Sequence, residues 1–409
     1  MEYREFIDTD EFEEFYRLIN ILPIKIENDS LYLKKLKETF KMFIDATGKI
    51  VTIKEDIKID ITKLKKICRV IEQAVEEYLN GNNINAIKQI EKLFDKKQYG
   101  DELFTVELKK GDKSQFSKLL YRARIGTDIV DREEMLHIPF NMRKVVATQR
   151  YSIPGYPCLY LSGSIYGCWL ELNKPNINEL YVSRYEVNRD IKVLDLSLLP
   201  QDVFCGKLSN DSDIYIKAVN GSEIYIEDII SKYLYTWPII CASSFIVKEE
   251  GRVFKSEYII PQLLVQVIRN RTIGSDQIEV EGIRYFSTKC NYDSSLRPNP
   301  LYYNYVFITD NKSCITKNSK IYSKNIIENF SLTYPVNMQI AFLINEAGIV
   351  GTYCTQKNAG KQLLDIYKDS MRAKSFIEVT PDCRIQYGDF YFFQIERFLC
   401  NIGAGKIDY

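Results

Sequence analysis

The sequence predicts an α+β fold, in which a helical N-terminal region precedes a core of mixed strands and helices. Apolar side chains in the first hundred residues recur at helical spacing, whereas short apolar runs bounded by turn residues follow from Phe116 onward. The strands and helices of this second part do not alternate strictly, which favours α+β over a parallel βαβ sheet. The predicted division is a helical region 1–100, a core 101–320 and a mixed extension 321–409.

The composition limits the classes of protein that fit. The chain has 409 residues, of which 45% are hydrophobic, enough for a large core divided over more than one domain. Its 55 basic and 55 acidic residues cancel, so no overall charge favours nucleic acid or an anionic membrane as a partner. No apolar run approaches the ~20 residues that a membrane helix needs. The acidic first fifteen residues also lack the apolar centre of a secretory signal.

The cysteines indicate the cellular compartment of the protein, and the single histidine limits the metal sites that it could form. The ten cysteines form no Cys-x-x-Cys pair, and without a secretory signal they are expected to be reduced thiols of a cytoplasmic protein. His137 is the only histidine, which excludes a histidine-based metal cluster, and no metal site is predicted. It lies in the apolar segment 136–140, where a packed histidine and a place at the rim of a pocket are the two alternatives.

Four helices are predicted in the N-terminal region, because apolar residues there repeat at three- and four-residue spacing. The second is expected to end at Gly48, and the third to be capped by Thr62 and to end at Asn80-Gly81. Residues 100–114 are expected to be a linker or an entry strand. The four helices are predicted to begin near Phe12, Leu33, Thr62 and Asn83.

The rest of the chain is predicted to contain short strands with helices between them. Its aromatic end, residues 376–399, is expected to close the sheet or to pack over a pocket. Helices are predicted near residues 226–234, near Ile326 and over residues 361–371. Strands are predicted over residues 119–125, 159–161, 180–187, 191–196, 262–268 and 303–308.

Residues 150–171 contain the strongest functional signal. The segment begins with the cation Arg150, passes through a Pro/Gly turn and a short apolar strand, and enters a helix turn that Ser164 can cap. Such a strand-turn-helix unit can direct Arg150, the hydroxyl of Tyr160 and the carboxylate of Glu171 into one pocket. Each of these side chains taken alone would more simply be explained as a surface charge or a core aromatic ring.

The order of motifs in the chain resembles the RES domain. Members of that family occur as toxins of bacterial toxin–antitoxin pairs, have a fold related to ADP-ribosyltransferases, and attack NAD. The resemblance covers about residues 115 to 310, with long insertions. The motifs that carry it are the strand Leu120-Tyr121-Arg122-Ala123-Arg124, then Arg150 with Gly155, the strand Leu159-Tyr160-Leu161, Glu171, the segment Gly282-Ile283-Arg284-Tyr285-Phe286-Ser287, and the strand Tyr303-Asn304-Tyr305-Val306-Phe307.

The resemblance implies a site for NAD as substrate, with no prosthetic group. The catalytic residues would be Glu171, Arg150, Tyr160 and Ser287, with Glu171 stabilising the positive charge that develops on the ribose. Arginine forks suit the pyrophosphate, for which Arg122 and Arg150 are favoured over Arg124. Arg122 and Arg124 would point to one face of their strand. The residues implied for binding are Arg122, Arg124, Tyr285 and His137.

Several functions remain open at this point. Water as the acceptor gives NAD hydrolysis, phosphate gives phosphorolysis, and a protein side chain gives ADP-ribosylation. A module that senses a nucleotide without cleaving it is the alternative outside enzymes. The expected partners are an antitoxin or another regulatory protein, and self-association into a homo-oligomer is left open. The N-terminal helices are expected to pack on the core and stabilise it, or to restrain the enzyme.

Overall fold

The protein is α+β, as the sequence predicts. A computed structural model describes residues 6–55, 57–95, 103–110, 120–127, 129, 131–204, 226–274, 280–289, 302–338, 391–400 and 402–407. The helices of these residues are α1 (Asp10–Ile19), α2 (Tyr32–Ile53), α3 (Ile61–Leu79), α4 (Asn83–Lys92), α5 (Ile165–Glu171), α6 (Pro200–Phe204), α7 (Ile226–Ser243), α8 (Ile259–Gly274), α9 (Lys324–Asn329) and α10 (Tyr391–Cys400).

The strands are short and pair in both directions. Strands β6 and β8 are parallel, whereas β3, β4, β5 and β9 pair in antiparallel fashion. The strands are β1 (Lys25–Ile26), β2 (Thr105–Leu108), β3 (Leu120–Ile125), β4 (Leu159–Ser162), β5 (Leu180–Val187), β6 (Ile191–Leu196), β7 (Ile246–Val247), β8 (Gly282–Phe286), β9 (Tyr303–Phe307), β10 (Cys314–Lys317), β11 (Lys320–Ser323), β12 (Phe330–Leu332) and β13 (Val336–Asn337).

The chain forms two compact units, and each unit is assembled from separate segments. Unit 1 comprises Met1–Glu107, Ala147–Pro154 and Lys192–Thr288. Unit 2 comprises Leu108–Val146, Gly155–Ile191 and Lys289–Tyr409. This assignment groups the chain differently from the division into 1–100, 101–320 and 321–409. The division into these three ranges as separately folding domains therefore remains a prediction.

The four N-terminal helices of unit 1 are present, with two corrections. Helix α2 continues through Gly48 to Ile53, because the buried face is extended by Ile50 and the glycine leaves open space around it. Helix α3 is capped by Asp60 and not by Thr62, since the Asp60 side chain accepts from the Thr62 and Lys63 N–H groups. The sequence offers two residues that can cap this helix, the Thr62 hydroxyl and the Asp60 carboxylate. The structure uses Asp60, which lies two residues earlier.

The centre of unit 1 is formed by α7 and α8 together with the N-terminal helices. The rings of Phe43 and Trp237 stack with centroids 4.1 Å apart, and the Tyr32 hydroxyl donates to the Ala242 carbonyl at 2.9 Å. The predicted strand 262–268 is wrong, because these residues lie in α8. A short apolar run does not separate a buried strand from a buried helix. The helical repeat appears only once burial is known, at Ile260, Leu263, Leu264 and Val267.

Unit 1 also holds the parallel pair β6 and β8, in the register Leu194↔Ile283. A buried ion pair lies across this pair: Arg284 donates to Asp195 with Nε–Oδ1 at 3.0 Å and Nη2–Oδ2 at 2.5 Å. The Ser197 N–H and hydroxyl donate to the same carboxylate, at 3.0 and 2.6 Å. The charge and the hydrogen-bonding capacity of Asp195 are therefore satisfied inside the protein.

Unit 2 is organised around an antiparallel sheet in the order β12-β5-β3-β4-β9, with β13 also paired to β5. Strand β3 lies near the middle of this order, so it is flanked by a paired strand on each side. Helices α5 and α10 pack on one face of the sheet through a buried apolar cluster. The cluster includes Tyr121, Ile165, Trp169, Leu180, Val182, Ile395, Phe398 and Leu399.

The C-terminal part of unit 2 is tied to this sheet. The predicted helix near Ile326 is confirmed as α9, whereas the predicted helix 361–371 lies outside the described residues. Helix α10 covers the last part of the aromatic segment 376–399. Arg184 of β5 holds its end by donating to the Leu399 and Ile402 carbonyls, each at 2.9 Å.

Candidate functional site

Strand β3 presents two arginines that have no acidic partner among the residues that the structure describes. Nη1 of Arg122 donates to the Tyr160 carbonyl at 2.7 Å, and Nη2 of Arg124 donates to the Leu136 carbonyl at 2.8 Å. In the part of the chain that the structure describes, neither guanidinium forms an ion pair with a carboxylate. Nε of Arg122 is buried and has no hydrogen-bond partner among these residues. The donors of both guanidinium groups therefore exceed the acceptors around them.

The positive charge on β3 is poorly solvated. Burial lowers the pKa of Arg122, and it lowers the pKa of Arg124 to about 10, with the nearby charge of Arg122 as the second cause. Like charges in a desolvated place repel each other, so this pair is stabilised by any anion that reaches it. A diphosphate suits it best, because arginine forks bind phosphate oxygens in pairs.

Glu171 lies in the same unit, at the C-terminal end of α5. Ser164 caps that helix as predicted, and its hydroxyl accepts from the Gly167 N–H at 2.9 Å. Oε1 of Glu171 accepts from Nδ2 of Asn304 at 2.7 Å, and Oε2 lies 3.8 Å from Nζ of Lys289. The side chain keeps 34% exposure, so the carboxylate is held by the protein and still reaches solvent.

Helix α5 brings Glu171 and Arg122 into one electrostatic neighbourhood. The Cys168 thiol of α5 contacts the Tyr121 carbonyl of β3 at 3.4 Å. Burial raises the pKa of this thiol to about 12, the charge of Arg122 opposes the shift, and the charge of Glu171 adds to it. Both charged groups therefore lie close enough to influence one buried sulfur atom.

Tyr160 and His137 lie near the arginines in different ways. Tyr160 is half-buried on β4, and its backbone carbonyl binds Arg122. His137 is fully buried: Nδ1 donates to the Ile138 carbonyl at 2.7 Å, and Nε2 accepts from the Ser323 N–H at 2.9 Å. Burial lowers its pKa to about 4, so the ring is neutral. These contacts explain His137 as a packed residue, and its role in binding stays a prediction.

Unit 1 holds the remaining predicted residues. Arg150 donates to the Ser243 carbonyl at 2.9 Å, to the Phe245 carbonyl at 3.1 Å and to the Thr288 hydroxyl at 3.3 Å. It therefore closes the C-terminal end of α7 and fixes the residue that follows Ser287. Ser287 itself is fully buried just after β8.

Tyr285 belongs to the same unit. It is half-buried on β8, and its ring lies 4.4 Å from the ring of Tyr151. The residue following Arg150 therefore also packs on β8, so the start of the 150–171 segment is attached to the strand that leads to Ser287.

The structure thus brings the predicted residues together in two groups. Unit 2 collects Arg122, Arg124, Tyr160, Glu171 and His137 around β3 and α5, and unit 1 collects Arg150, Tyr285 and Ser287 around β8. The roles assigned to these residues stay predictions.

Sequence reasoning missed the two partners of the Glu171 carboxylate, Asn304 and Lys289. A signal for Asn304 exists, since it is the one amide in the aromatic strand 303–307 and is buried there. Such a residue is retained in a core only where its hydrogen bonds are satisfied. Lys289 has no comparable signal, because exposed lysines are common.

Two further properties bear on the kind of site. Among the described residues, no group of three or more histidine, cysteine, aspartate or glutamate side chains is arranged to hold a metal ion. In the same part of the chain, no helix is both long and apolar enough to span a membrane.

Comparison with known proteins gives a single kind of similarity. No family model matches the chain, and no solved structure matches it. The chain is similar to "Putative toxin YopC" of Bacillus subtilis (strain 168), with 30% identity over 275 residues. The matched residues make up 66% of this chain and 59% of that relative. The chain is therefore related to part of a protein named as a toxin, and the RES resemblance stays a prediction from the motifs.

Proposed function

We propose that this protein is a toxin that consumes NAD by cleaving the bond between nicotinamide and ribose. The toxin role is supported by the similarity to a relative that carries that name. The substrate is supported by the RES-like order of motifs and by the site residues of unit 2. These two lines of support are independent, because the relative's name says nothing about NAD.

The observation that carries the proposal is the un-neutralised arginine pair of β3. Arg122 and Arg124 are half-buried, burial lowers the pKa of each, and among the described residues only neutral acceptors contact them. Keeping two such charges without a counter-ion destabilises the folded protein, so the arrangement is understandable if a ligand supplies the anion. The pyrophosphate of NAD carries this charge and presents oxygens to both forks.

Glu171 supplies the second element that the reaction needs. When the C1′–N bond breaks, its electron pair stays on nicotinamide, which leaves as a neutral molecule and requires no general acid. The ribose becomes an oxocarbenium-like cation, and a carboxylate beside it lowers the barrier. Asn304 and Lys289 hold the Glu171 carboxylate in one orientation, which is what electrostatic stabilisation of a short-lived cation requires.

The acceptor decides between three forms of the reaction. Water gives ADP-ribose, inorganic phosphate gives a phosphorylated ADP-ribose, and a nucleophilic side chain of a host protein gives ADP-ribosylation. The last form is the alternative enzyme. A nucleotide sensor without turnover is the alternative outside enzymes, but a pure binder of an anion gains nothing from a carboxylate such as Glu171 in the same unit as the arginines.

Regulation follows from the proposed activity. Loss of NAD stops the metabolism of the cell that makes the enzyme, so we expect an antitoxin or another inhibitory protein as a partner. Nucleic acid and membranes are not expected partners, because the net charge of the chain is zero.

The test is a nicotinamide-release assay with the purified full chain. NAD is incubated with the protein in buffer, in buffer with inorganic phosphate, and in buffer with cell lysate as a source of acceptor proteins. The proposal predicts loss of NAD and stoichiometric release of nicotinamide in at least one condition. Unchanged NAD in all three conditions would overturn the enzyme and favour the sensor.

A further inference from the structure

The chain leaves the helix that carries Glu171 through a turn of unusual conformation. Asn173 and Lys174 have φ angles of 63° and 54°, in the left-handed region that residues other than glycine rarely adopt. The Asn173 N–H donates to the Leu170 carbonyl at 3.0 Å, and the Lys174 N–H donates to the Trp169 carbonyl at 2.9 Å. These bonds form a Schellman ending of α5 without glycine. Such a conformation persists only where the surroundings stabilise it.

Lys289 provides that stabilisation. Its Nζ donates to the Glu171 backbone carbonyl at 2.6 Å and to Oδ1 of Asn173 at 2.8 Å. The same Nζ lies 3.8 Å from Oε2 of Glu171. One ammonium group, which has three donors, therefore contacts the last carbonyl of α5, the left-handed residue and the carboxylate. A cation at this place is also favoured by the dipole of the helix.

The other carboxylate oxygen is fixed from the sheet. Asn304 is 2% exposed on β9, and its Nδ2 donates to Oε1 of Glu171 at 2.7 Å. The carboxylate is thus held between a buried amide and a surface lysine. Lys289 is 40% exposed, and ion pairs at such exposure contribute little to stability. The contacts of Lys289 are therefore better explained by the orientation of Glu171 than by the stability of the fold.

We propose that Lys289 is a positioning residue for Glu171. It holds the left-handed ending of α5, and through that ending it fixes the direction of the carboxylate. This inference rests on the proposed NAD cleavage, in which Glu171 faces the ribose cation. Lys289 itself does not contact the substrate in this role.

The test compares three variants of the full chain. Lys289→Met removes the charge and the donors but keeps the length of the side chain, and Lys289→Arg keeps the charge. Lys324→Met is the matched control, because Lys324 belongs to the same unit, is 45% exposed, and pairs with Glu328 at 3.6 Å. The kcat and KM of NAD cleavage are measured at steady state, and amide hydrogen exchange is measured by mass spectrometry on peptides containing residues 165–175.

For Lys289→Met we expect kcat to fall about tenfold or more with little change in KM, since a misplaced group loses transition-state stabilisation. Exchange in 165–175 should become faster. Lys289→Arg should recover part of the activity, and Lys324→Met should match the parent in every measurement.

The outcomes separate the two proposals. If the parent cleaves NAD and Lys289→Met has an unchanged kcat, the positioning role is overturned, whatever the exchange shows. A parent that cleaves no NAD overturns the proposed function, and the exchange then decides for Lys289 alone. Faster exchange in Lys289→Met supports its hold on the end of α5, and unchanged exchange overturns it.

Discussion

Two strands of this protein surround their arginines in opposite ways. Arg284 of β8 is 3% exposed and faces Asp195, which accepts both of its donors and is itself held by Ser197. Arg122 and Arg124 of β3 are half-buried, and burial lowers the pKa of each, yet their partners among the described residues are neutral. The first arrangement cancels charge inside the protein, and the second retains it.

The difference shows how the function of a buried arginine can be inferred. A buried pair such as Arg284–Asp195 needs nothing from outside, and its effect is to fix the register of two strands. An un-neutralised pair is destabilising until an anion arrives, so it is understandable as a binding site. Arg184 of β5 follows the first pattern, because it forms an ion pair with Glu186. The burial of an arginine therefore does not by itself indicate an anion-binding site. Burial without an acidic partner is the informative combination.

The largest expected effect concerns the support that unit 1 receives from its N-terminal helices. A fragment of residues 100–409 loses Phe43, which stacks on Trp237, and Tyr32, which binds the Ala242 carbonyl. We expect this fragment to be insoluble, because exposing a fully buried tryptophan and its neighbours removes a large apolar contact. Solubility is measured after expression beside the full chain. A soluble fragment that consumes NAD faster than the full chain would instead assign restraint to the N-terminal helices.

The two arginine environments can be compared directly by unfolding. Arg284→Met leaves the buried Asp195 carboxylate without its counter-charge, and we expect a loss of about 3–5 kcal/mol in the free energy of unfolding. Arg122→Met removes one hydrogen bond to a carbonyl, worth about 1 kcal/mol, but it also removes a charge that has no counter-ion among the described residues, so we expect little or no loss. Urea unfolding of both variants and the parent checks the difference.

A double variant provides the control for this comparison. Arg284→Met combined with Asp195→Asn removes both charges, and we expect it to recover a large part of the lost stability. Equal destabilisation by Arg284→Met and Arg122→Met would show that the two environments do not differ, and the comparison would then fail.

Substitution of the carboxylate tests catalysis apart from binding. Glu171→Gln keeps the shape and the acceptor for Asn304 but removes the charge beside the ribose. We expect the rate of NAD cleavage to fall by about two orders of magnitude, while the affinity for NAD changes little. Glu328→Gln, in an exposed ion pair of the same unit, is the matched control and should behave as the parent. Equal rates for Glu171→Gln and the parent would remove Glu171 from the mechanism.

A smaller effect is expected from His137, whose pKa is lowered to about 4 by burial, with a further lowering by Arg122 and Arg124. In the unfolded chain its pKa is about 6.5. The unfolded state therefore binds the proton first, and this contribution to stability is full above pH 6.5 and is lost as the pH falls toward 4. Between pH 7 and pH 5 the loss is about 2 kcal/mol.

His137→Gln provides the readout for this prediction. Because the chain has a single histidine, the variant should lack this part of the pH dependence of the unfolding free energy. The same slope in the parent and in His137→Gln would contradict a buried neutral ring.

The sequence predicts some elements of this fold well, and physical reasons separate these from the rest. Strands β5 and β6 agree with the predicted ranges 180–187 and 191–196, because alternation and turn residues are local signals. Helix α8 was predicted as a strand, since a fully buried segment has no polar face to reveal its period. The continuation of α2 past Gly48 depends on tertiary packing, which overrides the weak helix propensity of glycine.

The candidate site shows a similar limit. The ordered motifs identified Arg122, Arg124 and Glu171, and the cap at Ser164 was predicted from its type and spacing. The neutral partners of the arginines among the described residues, and the hold of Lys289 on the end of α5, depend on contacts between residues far apart in sequence. No local pattern encodes such contacts, so only a structure can provide them.

The central claim is that the un-neutralised arginines of β3 bind the anionic part of NAD. Calorimetric titration of NAD into Glu171→Gln protein tests it most directly, because binding is then measured without turnover. Adding Arg122→Met to this protein should weaken the affinity by about tenfold or more. Adding Arg143→Met, at an exposed arginine that also contacts a carbonyl, should leave the affinity unchanged. Equal affinity with and without Arg122 would contradict the account.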